Sequence, residues 1–141
     1  MKRLKTLCGV LCLAWSGTAA ADALATLNDA ENFKKAQKDV AAMSRAELDP
    51  LLEAVATCSA VSIGQRMQQF ECERGLNVYW ARYSRGRAID NYLSALGGLF
   101  TAFDNNALNP SQEMTMGYRR ASGDLVSLMH TINERYRQLE K

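Results

Sequence analysis

A chain of 141 residues, 48% hydrophobic and 23% charged, has room for one domain with a real core and not for two. Its formal charge of +2 rests on an N-terminal cluster. Without Lys2, Arg3 and Lys5 the 17 basic residues fall to 14 against 15 acidic ones. A remainder so near neutrality excludes a general electrostatic case for binding nucleic acid or anionic membranes.

Met1 to Ala21 reads as a cleaved export signal: a basic start, an apolar run from Leu7 to Trp15, and Ala19-Ala20-Ala21 at the cleavage point. The run is too short to span a bilayer, which takes about 20 residues. Residues 22–141 are then a single helical domain in a periplasmic or secreted setting, with no stable membrane insertion after cleavage. Cys8 and Cys12 leave with the signal, so Cys58 and Cys72 are expected to form the one disulfide. Their spacing is that of neither a redox motif nor haem attachment, and two thiolates alone make no zinc site.

Asp22 to Leu27 is short and Ala-rich, and is expected to be an irregular lead-in. A first helix starts near Asn28, with Glu31 three residues on in a capping-box variant, and buries Phe33, Ala36, Val40 and Met43. Lys34, Lys35 and Lys38 belong to its solvated face. Ser44 and Glu47 form a second capping-box pattern, but Asp49-Pro50 offers a competing start. Proline inside a helix costs about 3 kcal/mol, so the later start is preferred. Leu51, Leu52, Val55 and Cys58 line this second helix. From Ser59 to Phe70 the phase is unclear, with Gly64 in a turn.

Cys72, Leu76, Tyr79, Trp80 and Tyr83 then fall on one stripe, with Arg74, Arg82 and Arg85 opposite. Past Gly86 the apolar stripe changes sides: Ala88, Ile89, Tyr92, Leu93, Leu96, Leu99, Phe100 and Phe103 lie on the face the arginines had held. Either the helix breaks at Ser84-Arg85-Gly86-Arg87, where glycine makes a break cheap, or it runs straight and is covered on opposite sides. Gly97-Gly98 interrupts the pattern and calls for a close neighbour or a bend. Asp104 to Asn109 reads as a loop.

The final helix opens at Asn109-Pro110 and repeats Met114, Tyr118, Ala121, Leu125, Leu128, Ile132 and Leu139 at spacings of 4 and 3, with Arg135 interrupting the seam. Its length of about 45 Å would match a continuous helix from Gln65 to Phe103. The expected fold is all-α, an antiparallel bundle of about four helices, two short and two long, with one disulfide. In it the final helix covers the Ile89, Leu93, Leu96 and Phe100 stripe.

No catalytic, metal or nucleotide signature stands out. His130, the sole histidine, lies with Val126, Glu134 and Arg137 opposite the seam, and nothing completes a metal site with Glu134. Met43 could serve as a second axial haem ligand, but an antiparallel last helix would keep it far from His130. Neither cofactor nor enzymatic activity is indicated. The expected role is protein binding, as an inhibitor, immunity factor or accessory subunit of an envelope or secretion machine. The alternative is a helical carrier of an apolar ligand or cofactor. Tyr79, Trp80 and Tyr83 with Arg82, Arg85 and Arg87 form the candidate partner surface, self-association included, because aromatics and arginine dominate interface hot spots. The competing reading buries the three rings as core.

Overall fold

A computed structural model describes residues 16–59, 66–105 and 111–141. Among them are six helices and no strand: α1 (Ser16–Asn28), α2 (Ala30–Ala41), α3 (Arg45–Ser59), α4 (Arg66–Tyr83), α5 (Ala88–Asn105) and α6 (Gln112–Leu139). The expected disulfide is present, joining Cys58 and Cys72 with Cα atoms 4.5 Å apart. Gly64, Asn109 and Pro110 lie outside the described residues.

Several boundaries differ from the sequence reading, each for an identifiable reason. The lead-in is helical: Ala23, Leu24 and Leu27 of α1 are buried, because burial against neighbours decides a short helix more than its own propensity. At α2 the cap is Asp29, one residue later than expected, its carboxylate accepting from the Glu31 amide at 2.9 Å. For α3 the earlier start prevails, with Glu47 accepting from both the amide and the hydroxyl of Ser44. Pro50 therefore sits inside the helix. The lost amide bond there is offset by complete burial of Leu48 and Leu51 on either side of it. At α6 the cap is Ser111, whose hydroxyl accepts from the Met114 amide.

The continuous central helix does not form. Gly86 adopts φ +70°, a conformation open to glycine and strained elsewhere, and the chain breaks between Tyr83 and Ala88. Asp90 secures the joint, accepting from the amides of Arg85 at 2.8 Å and Arg87 at 3.1 Å. Asp39 of α2 accepts from the Ile89 amide at 3.0 Å, tying down the start of α5. The break resolves the phase reversal, since each half then turns its own stripe inward.

The pairings fix helix directions. Cys58 with Cys72, Thr57 beside Gly75 and Glu47 with Arg87 set α3 and α4 antiparallel. Phe100 and Tyr118 rings 5.2 Å apart, with Tyr92 donating to Asp124, do the same for α5 and α6. But α2 and α6 run in the same direction: Arg120 donates to Asn28 and Arg135 donates to the Met43 carbonyl. The expected wholly antiparallel arrangement is corrected on this point. The cover of α5 is also different, with α1 and α2 packing on it more extensively than α6. Leu27, Val40, Met43, Leu76, Leu93 and Leu125 contribute to one continuous core. No helix among the described residues is long and apolar enough to cross a membrane.

Candidate interaction surface

Helix α4 carries apolar side chains on two faces. The inner one is the stripe read from the sequence: Cys72, Leu76 and Tyr79 are buried. On the outer one, Met67, Phe70, Val78 and Ala81 fall within one stripe at 100° per residue and are exposed. Met67 is 73% exposed, Phe70 58% and Val78 48%. The second face accounts for the unclear phase at Met67 and Phe70, and residues 60–65 lie outside the described residues.

The six residues proposed from the sequence do not all lie on the exposed surface. Tyr79 is buried, and burial with the Asp90 carboxylate nearby holds its hydroxyl protonated far above the ordinary tyrosine range. Trp80 is half-buried and folds over Gly97, where a Cβ would come within 2.9 Å of its Cη2. That glycine thus admits a side chain rather than a backbone. Arg87 pairs with Glu47 of α3, linking the joint to the α3 cap. Tyr83, Arg82 and Arg85 remain exposed. Tyr79 and Trp80 accordingly belong to packing, and Tyr83 with the two arginines belongs to the surface.

Between α3 and α4 runs a groove of about 300 Å³. Ala54, Thr57 and Gly75 keep its floor low, Val78 and Tyr83 supply apolar wall, and Glu53, Glu71, Arg74 and Arg82 also line it. Arg74 is already engaged, 2.5 Å from Glu71. Arg82 and Arg85 form no ion pair among the described residues. A second depression, containing Phe70, Asn77, Val78 and Ala81, lies on the other side of the Arg74, Val78 and Arg82 ridge.

His130 and Glu134 are exposed on α6, as their phase required. Met43 is buried beside Arg135, near the end of α6 and not its start, so the expected position of this methionine is corrected. Among the described residues no group of three or more His, Cys, Asp or Glu side chains could hold a metal. Neither a protein-family model, nor a curated protein, nor a solved structure matches the chain.

Proposed function

We propose that this is an exported helical protein that works by binding another protein, as an inhibitor, immunity factor or accessory subunit of an envelope machine, and that the outer face of α4 does the binding. One observation supports this above the rest. Of the seven large hydrophobic side chains exposed among the described residues, three lie together on the outer face of α4: Met67, Phe70 and Val78. Scattered exposed apolar residues are ordinary, whereas a stripe along one helix has the form of a docking surface. Export is supported by the N-terminal leader and by the Cys58–Cys72 bridge, which suits an oxidising compartment. The carrier alternative draws no comparable support, since Tyr92, Tyr118, Phe100 and Met43 fill the core between the helices.

A photo-crosslinking residue placed at Phe70 in the source cell should yield a protein adduct, and one placed at His130 on α6 should not. Equal labelling at both positions, or none at Phe70, overturns the assignment. N-terminal sequencing of the envelope fraction should begin at Asp22.

A further inference from the structure

Resting on the reading of the outer face of α4 as a docking surface, we infer that a second copy of this chain also docks there. The two copies form a two-fold, antiparallel α4–α4 dimer, with Phe70 packed on the second copy's Ala81 and Glu71 paired with its Arg82. Two properties of the stripe favour its own kind. Its charges cancel: from Met67 to Arg82 the helix carries Glu71 and Glu73 against Arg74 and Arg82, so the face offers no net field to a strongly acidic or basic partner. Its apolar residues are also graded, with the large Met67 and Phe70 near the start of α4 and the small Ala81 near the end. A two-fold contact sets residue i against j and j against i, so antiparallel pairing seats large on small twice.

Charge selects the register. At 100° per residue, Phe70 and Ala81 lie on one side of a midline through Arg74, and Glu71 and Arg82 lie on the other. A two-fold axis perpendicular to α4 keeps each side facing its like. Placed at the level of Leu76, it brings Phe70 level with the second copy's Ala81, Glu71 level with its Arg82, and Arg74 level with its Val78, which packs on the arginine's methylene stem. Glu71 uses only Oε2, toward Arg74 at 2.5 Å, and Arg82 has no ion pair among the described residues, so both are open to contact. Other arrangements bring like charges together. A parallel pair sets Arg74, Glu71 and Arg82 each against its own copy, and an antiparallel pair centred on Arg74 again stacks the two Arg74 side chains, contacts that work against association. A contact along one helix lies at the low end of specific interfaces, about 1,000 Å² in total. A dimer of that size dissociates readily, which leaves the face available to a tighter partner.

Sedimentation equilibrium of the mature protein across the micromolar to millimolar range should show monomers and dimers in exchange. Phe70→Ser, Glu71→Arg and Arg82→Glu should each weaken the dimer by at least about tenfold, because each change enters a two-fold interface twice, while circular dichroism and melting stay native. Mixing Glu71→Arg chains with Arg82→Glu chains should restore a heterodimer, since both inter-chain pairs are then opposite in charge again. Monomers at every concentration, or a dimer indifferent to these variants, overturn the inference. A dimer that Phe70→Ser dissolves but that mixing fails to rescue overturns the register and the inference with it. The reading on which this rests fails separately. A photo-crosslink at Phe70 that captures only the doubled chain would overturn the foreign partner and support the second copy. Capture of another protein by a chain that stays monomeric would do the reverse.

Discussion

Glu47 shows how one carboxylate serves two elements. The Ser44 amide above all, then Arg87 and the Ser44 hydroxyl, lower its pKa from the ordinary 4.5 to about 2. A carboxyl depressed by folding contributes stability that is complete above its ordinary pKa and is lost as pH falls through the folded value. Glu47→Gln should therefore cost about 1 kcal/mol at pH 7, the scale of a lost cap, with the deficit closing as the pH is taken from about 5 to 2. The side chain is 27% exposed, so water screens part of the ion pair and a larger figure is not warranted. Urea denaturation across that range measures both slopes. The glycines of α6 give a paired comparison. A Cβ at Gly117 would lie 2.1 Å from Leu24 Cδ1, and one at Gly123 would meet nothing within 4 Å. Gly117→Ala should destabilise by about 1–3 kcal/mol through overpacking, and Gly123→Ala should stabilise by up to about 1 kcal/mol. Melting temperatures of the two variants should move in opposite directions.

At the scale of elements, α3 and α4 form a hairpin held by a disulfide at one end and by Glu47 and Arg87 at the other. Replacing both cysteines with alanine should cost about 3 kcal/mol, the chain-entropy figure for a loop of this size. Trp80→Ala should cost about 3 kcal/mol by emptying the space over Gly97, whereas Arg85→Ala should leave melting unchanged. Chemical denaturation of the three variants separates staple, packing and surface. Periodicity was sufficient wherever a helix has one apolar face: Val40 of α2, Val55 of α3, Leu93 of α5 and Leu128 of α6 are buried as their spacing requires. It failed on α4, whose second apolar stripe obscured its phase, and on α3, where Leu48 and Leu51 outweigh a proline. Met67, Phe70 and Val78 lie off the one stripe that the periodicity of α4 picks out, so the sequence reading assigns them no role. The signal that could have found them was the surplus itself, more hydrophobic residues on one helix than one face can bury.

For the molecule as a whole, the all-helical class and the disulfide were legible from composition, spacing and cysteine count, while the order of packing was not. Nothing in a helical period says that α2 and α6 run together or that α1 joins the core, because both depend on contacts between distant segments such as Arg135 with Met43 and Leu24 with Gly117. The second of these contacts bears on maturation. The cut proposed after Ala21 falls within α1, and Ala23, the first residue known to be buried, follows it by only two positions. The residues from Ser16 up to that proposed cut thus continue the same helix as Ala23 and Leu24. A cut there would leave the amides of residues 23–25 without their helical acceptors at residues 19–21. A chain made uncleavable by Ala19→Arg and Ala21→Arg should accordingly exchange the amide hydrogens of residues 23–25 more slowly than the cut form, with the α3–α4 hairpin equally protected in both.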